Sequence, residues 1–321
     1  MEHLSLSILG ASSAIPLSNR SPTAQFLGIG NEFFLIDCGE GTQVKLRQHR
    51  IGFGRVKHIM ISHLHGDHFY GLIPLLTTMQ LLDRHAALHI YGPEKLKEAV
   101  RQQLAITDSK ISYPLHFHAL DPDRKTCIFE DKHLEVHSFP LRHGITCFGF
   151  LFQEKPLPRK MLKEELEKYD IPVAEIRRIK AGSDWIDANG KRIPNEELTE
   201  ANAAPMSYAY CTDTLPVKHL HRYFKGVDLL YHEATFLSSE KDRALKTNHS
   251  TAAQAAEIAE ICKAKQLLIG HFSVRYKDFH GLLAEAQSVF PKTLIAGEGL
   301  QFTLDRKSRE LKIERENSYR A

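Results

Sequence analysis

Cysteines are few in this sequence, and they form no pattern. Cys38, Cys127, Cys147, Cys211 and Cys262 are scattered, odd in number and without a CxxC pair. That distribution argues against a disulfide framework or a structural thiolate–zinc site and fits buried thiols in a reducing compartment. No apolar run approaches the length of a membrane span. The amino terminus has no basic n-region; Leu4, Leu6 and Ile8 alternate with small polar residues, the pattern of a strand and not of a signal peptide. A strong charge of either sign is missing too. The net +3 does not announce a nucleic-acid partner, so any basic surface must be a local patch. These absences set the expectation of a cytoplasmic protein with no membrane partner.

What is present is ordinary in bulk and concentrated in one place. Hydrophobic content of 42% and charged content of 25% are those of a globular protein, and 321 residues suit one α/β domain with insertions. Nineteen histidines exceed the usual share, and three fall within the six residues His63-Leu64-His65-Gly66-Asp67-His68. Val56 to Ile61, just before, reads as a short buried strand. His63 and His65 are two apart, so an extended segment points both to one side. Asp67 and His68 stand at the start of a helix expected to run through Leu72, Leu75, Leu76 and Met79 to about Leu82. Imidazole and carboxylate without thiolate suit a borderline divalent metal such as zinc, and four ligands invite two ions. Most other histidines, His58, His89, His116 and His118 among them, are expected on strands or at the surface.

Strands are expected at Leu4–Leu9, Ala24–Gly30 and Glu32–Cys38, the last two joined across Gly30-Asn31. A helix follows from about Gln43, then a strand at Leu88–Tyr91 and a helix at Pro93–Leu104 with proline in its first turn. Four more strands come between Leu115 and Gln153. Strands, then strand–helix alternation, then strands again predict an α/β fold of the αββα sandwich type. Asp37 reads equally as an acceptor that orients a ligand histidine or as a helix-capping carboxylate. Residues 154–204 break the pattern with prolines and dense charge, including a helix expected at Lys160–Tyr169 and the cluster Glu175–Lys180. A structureless loop of that length is improbable, so the segment reads as an inserted arm within a single 1–321 domain, or else as a solvated excursion.

In the second half, strand ends repeatedly terminate in further ligands: His143 after Leu141, Asp213 after Ser207–Thr212, and His271 after Gln266–Gly270. Strand Val227–His232 leads into Glu233, and His249-Ser250-Thr251 opens a helix capped by Ser250 or Thr251. His63-x-His65-x-Asp67-His68 with His143, Asp213 and His271 resembles the metallo-β-lactamase superfamily. Within it, His232-Glu233-Ala234-Thr235, His249-Ser250-Thr251 and His271-Phe272-Ser273-x-Arg275-Tyr276 resemble the ribonuclease Z family over nearly the whole chain.

That resemblance implies two Zn2+ ions per subunit. His63, His65 and His143 would hold one, Asp67, His68 and His271 the other, and Asp213 would bridge them. It implies an endoribonuclease that removes the 3′ trailer from precursor tRNA, with a metal-bridging hydroxide as nucleophile. Asp67 would take the proton of the attacking water, and Glu233 with His249 would protonate the leaving ribose oxygen. Arg275 and Arg20 would contact substrate, and the arm would grip tRNA through Lys160, Lys163, Arg177, Arg178 and Lys180. A homodimer is implied as well. Pro16 and Arg20 match the family's PxKxRN loop, whereas Ser18 and Ser21 depart from it. The competing readings are a small-molecule phosphodiesterase or arylsulfatase-like hydrolase of the same fold, and a silent RNA-binding member.

Overall fold

The computed structural model describes residues 3–315. Two units separate along the chain, residues 1–153 with 206–321 and residues 154–205. In the larger unit, eight strands form one sheet in the order Leu311–Arg315, Leu300–Asp305, His3–Gly10, Ala24–Ile29, Glu32–Ile36, His58–Met60, Leu88–Gly92 and Leu115–Ala119. Seven form the other: Thr293–Ile295, Gln266–Gly270, Leu229–Glu233, Ser207–Cys211, Cys147–Glu154, Leu134–Leu141 and Thr126–Glu130.

Side-chain alternation explains why the sheets pack face to face. Leu4, Leu6 and Ile8 point from the first sheet onto Phe148, Phe150, Phe152, Tyr208 and Tyr210 of the second, all essentially inaccessible. The opposite faces are covered by helices. Leu46, Leu72, Leu75, Leu76 and Val100 pack on the first sheet, and Ala252, Ala255, Ala256, Ala259 and Leu282 on the second. This is the αββα sandwich the element order predicts. The alanines let the helix Ala252–Ile261 lie close to its sheet, and Thr251 caps it by accepting from Gln254 N while the Gln254 side chain accepts from Thr251 N.

Several expectations need correction. The helix after His68 is not continuous: Gly66–Phe69 is one turn, and Leu72–Leu81 a separate helix. Gly71 sits at the break because a Cβ there would meet the Gly39 carbonyl oxygen at 2.0 Å, and its N–H bonds Cys38 O at 2.9 Å. Close backbone contact with Cys38 and Gly39 thus overrides helical continuity. The helix expected from Pro93 begins at Leu96. Four cysteines are buried free thiols, but Cys127 is exposed on an edge strand. No described helix is long and apolar enough to cross a membrane.

Residues 154–205 carry their own small core of Ile171, Ile179, Ile193 and Leu198. Lys160–Met161 pairs as a strand with Thr199–Glu200, so the expected helix there is shortened to Lys163–Lys168. The basic cluster lies on helix Val173–Lys180.

Candidate metal centre

Parallel strands deliver their carboxyl ends to one edge of the sandwich, and the chemistry collects there. The strand His58–Met60 leads into His63 and His65, Ser207–Cys211 into Asp213, and Gln266–Gly270 into His271. His143 follows Leu134–Leu141. The side chains converge as two groups. In the first, His63 Nε2 is 3.1 Å from His65 Nδ1, which is 3.2 Å from His143 Nε2. Asp213 Oδ2 stands 3.5 and 3.8 Å from the His63 and His143 nitrogens. In the second, His68 Nε2 and His271 Nε2 are 3.2 Å apart, and Asp67 Oδ2 lies 3.6 and 3.4 Å from them. Asp213 Oδ1 completes that group at 3.3 and 3.1 Å. One carboxylate therefore offers an oxygen to each group.

These spacings fit bound metal. Ligand atoms around a tetrahedral ion with bonds of about 2.0–2.1 Å are about 3.3 Å apart, and both groups cluster near that value. The far nitrogens are tied in a way that frees the near ones. His68 Nδ1 meets Asp37 Oδ2 at 2.7 Å, and His143 Nδ1 meets the Asn248 carbonyl at 3.0 Å. Ser62 Oγ donates to Asp37 Oδ2 at 2.9 Å, leaving it to accept from His63 Nδ1 at 3.0 Å. Thr235 Oγ1 likewise donates to Glu233 Oε2 at 2.6 Å and accepts from His271 Nδ1 at 3.0 Å. Asp37 is therefore the orienting acceptor and not a helix cap; it is fully buried, at φ 58°, and also accepts from Tyr210 Oη at 2.7 Å.

Electrostatics point the same way. Burial and the neighbouring His68 push His63 down to about 4, keeping it a neutral ligand. Burial opposes charge on His68 as well, yet Asp213, Asp67 and Asp37 outweigh it and hold that ring well above its ordinary value. Buried carboxylates around the cluster thus call for positive charge, which a divalent cation supplies.

Beside the second group, His249 Nδ1 lies 2.9 Å from Glu233 Oε1. Burial disfavours the charged imidazole, but the Glu233 carboxylate prevails and lifts it to about 9. Glu233 is fully buried and also accepts from Thr214 N at 2.8 Å. His249 opens onto a cleft of about 510 Å³ that is also lined by His65, Asp67, His143, Asp213 and His271. Ala14, at φ 65°, reaches over this cleft and donates its N–H to Asp67 Oδ2 at 2.7 Å.

The side chains expected to contact substrate lie outside the two ligand groups. Arg20 donates to the carbonyls of Tyr276 and Lys277 at 2.7 Å each and stacks on Phe279 at 4.7 Å, so its guanidinium braces the 276–279 loop. Arg275 pairs with Glu240 at 3.0 Å over the Phe236 ring. Lys160, Lys163, Arg177, Arg178 and Lys180 all lie in the separate unit, where Arg178 pairs with Glu175 at 2.7 Å. Ser62, Thr235, Tyr210, Asn248 and Ala14 carried no signal of their own in the sequence, since hydroxyl, amide and alanine residues are common everywhere. Only adjacency to ligand motifs marks Ser62 and Thr235.

The αββα sandwich with paired histidine–aspartate clusters at one sheet edge defines a metallo-β-lactamase-fold hydrolase that binds divalent metal. A family model described as anti-Pycsar protein Apyc1 matches residues 4–156. The fold is also that of the metallo-β-lactamase fold protein YhfI from Bacillus subtilis, with a TM-score of 0.67 at 18% identity over 94% of this chain and 100% of that one. Human tRNase Z, short form, aligns with a TM-score of 0.68 at 25% identity, covering 92% of this chain and 98% of that one. Ribonuclease Z of Bacteroides thetaiotaomicron is 44% identical over 305 residues, 95% of this chain and 96% of its own. That of Phocaeicola vulgatus is 45% identical over 95% and 99%. The chain belongs to the ribonuclease Z family.

Proposed function

We propose that this protein is a zinc-dependent endoribonuclease that removes the 3′ trailer from precursor tRNA, leaving a 3′-hydroxyl on the tRNA and a 5′-phosphate on the trailer. The observation that carries the reading is the pair of ligand clusters sharing Asp213 beside the Glu233–His249 pair, in a chain matched by ribonucleases Z over 95% of its length. Five imidazoles among the donors favour zinc over a hard cation such as magnesium. His63, His65 and His143 would hold one ion and Asp67, His68 and His271 the other, with Asp213 offering an oxygen to each group. When bound, the pair supplies an activated water and neutralises charge at the phosphoryl oxygens.

The protein's own groups do the rest. Asp67 takes the proton of the attacking water, its carboxylate fixed by the Ala14 N–H. Glu233 keeps His249 protonated below about pH 9, so the imidazolium can deliver a proton to the departing ribose oxygen. Arg275 stands near the cleft, on the loop of Ser273 and Val274 that lines it, to meet substrate phosphate. The 154–205 unit acts as an inserted tRNA-gripping arm of a single catalytic domain, through Lys160, Lys163, Arg177, Arg178 and Lys180. The working form is a cytoplasmic homodimer, testable by sedimentation.

The test is to offer the zinc-loaded protein a precursor tRNA and, separately, bis(p-nitrophenyl) phosphate. Cleavage of the small ester alone would sink the tRNA reading in favour of a small-molecule phosphodiesterase. Replacing residues 154–204 by a short linker should raise KM for precursor tRNA at least about tenfold, by loss of phosphate contacts, while sparing the small ester. Equal loss on both substrates would refute the arm's role.

A further inference from the structure

Next to the metal centre lies a second hollow that the reaction as described leaves unused. Its volume is about 380 Å³, the size of a compact ligand pocket. The two segments that carry metal ligands also build it: His65, His143 and Gly144 face the cleft, while Leu64, Ile145 and Thr146 face the hollow. A ridge about one residue thick therefore separates the two spaces. The lining is apolar, with Leu120 and Phe148 buried below and Pro93 and Pro122 as rigid walls. Ile145 is 40% exposed there, a large aliphatic side chain kept at the surface two residues from a ligand histidine. Exposed Glu94 and Lys95 stand at the rim, an acceptor and a donor for polar ring edges.

We propose that this hollow seats the nucleobase of the first nucleotide after the scissile phosphate, the one that keeps its 5′ oxygen bonded to phosphorus. The inference rests on the phosphodiester-cleavage reading above and adds a subsite to it. Direction follows from the order of the rings. The ring centres of His249 and His143 are 5.2 Å apart and those of His143 and His65 5.0 Å, and the hollow is lined by chain neighbours of His65 and His143 and by none of His249, which places it on the ligand side away from the proton donor. The departing 3′ oxygen belongs at His249, and the retained 5′ side extends the other way. Apolar contact with the flat faces of a base tolerates any sequence, as a variable trailer requires.

The test uses two chromogenic diesters with the same leaving group. Thymidine 5′-(4-nitrophenyl phosphate) places a nucleoside on the retained side, and methyl 4-nitrophenyl phosphate places none. The zinc enzyme should prefer the nucleoside ester in kcat/KM by roughly five- to a hundred-fold, the range that stacking of one base provides. Ile145→Asp should collapse that ratio towards one, and Ile145→Leu should keep it. A wild-type ratio near one, or a ratio that survives Ile145→Asp, overturns the subsite. A precursor tRNA with an abasic first trailer nucleotide is the third arm. Its KM should rise by a similar factor in the wild type, and an unchanged KM also overturns the subsite. If no precursor tRNA is cut while the diester preference and its loss in Ile145→Asp persist, the subsite stands and the tRNA-processing reading falls.

Discussion

Around the second ligand cluster, His68 and His271 are both buried, and each has its outer nitrogen tied to a side chain that is itself bonded. Asp37 holds one and Thr235 the other, and Thr235 is held in turn by buried Glu233. The first cluster is held more loosely. Its His65 is exposed, and its His143 stands in an irregular turn, tied only to the backbone carbonyl of Asn248. Only His63 has comparable support, through Ser62 to the same Asp37. Orientation by outer partners governs how tightly a ligand holds metal. The second cluster is therefore the more firmly braced of the two.

Mutation of His65 tests this difference at its largest. His65→Ala should abolish cleavage of both precursor tRNA and the small ester, yet elemental analysis should still find close to one metal per chain. Loss of all metal would break the comparison. Glu233→Gln should lower kcat by about 10²–10⁴-fold at pH 8, the span of a general acid. The sign follows from the raised pKa of His249. In the wild type the protonated ring persists until pH rises through about 9, and without the carboxylate it is lost at lower pH. The alkaline limb of the kcat profile should move to lower pH, and an unmoved limb would remove His249 from the reaction. Asp37→Asn should weaken metal binding about 10- to 100-fold, read by competition with a chelator, with the second cluster suffering more. The smallest effect belongs to Thr251→Ala, which removes a helix cap and touches no ligand. It should cost about 0.5–2 kcal/mol of stability with metal affinity unchanged, read as a small fall in Tm.

The asymmetry also explains what could be read in advance. Ligand residues announce themselves because imidazole and carboxylate at short spacing beside apolar strands have few other uses. His63, His65, His143 and Asp213 lie in one group of potential ligand atoms, and Asp67, His68 and His271 in another. The sandwich was legible for a similar reason, since strand alternation such as Leu4, Leu6 and Ile8 fixes which face is buried. What escaped is what depends on a close approach between distant segments. The break at Gly71 is set by the Gly39 carbonyl, and Thr235 matters because folding brings Glu233 and His271 to either side of its hydroxyl. The match of Arg20 to a family loop suggests a substrate contact, and only the fold shows that its guanidinium also binds the carbonyls of Tyr276 and Lys277. In the arm, the amphipathic pattern predicts helix from Lys160, whereas pairing with Thr199–Glu200 makes Lys160 and Met161 strand.

The order of the ligands along the chain has a consequence for the ribosome that makes it. Neither cluster has its full set of protein ligands until Asp213 has emerged, and the second also waits for His271, delivered by the strand Gln266–Gly270. At about 5–20 residues per second, the stretch between them takes about 3–12 s to synthesise. Throughout that interval the nascent polypeptide carries most of a nuclease without being one. A truncated translation product that stops before His271 cannot become a loose ribonuclease among the cell's RNAs. Assembly of a full ligand set is thereby coupled to synthesis of the segment that carries His271.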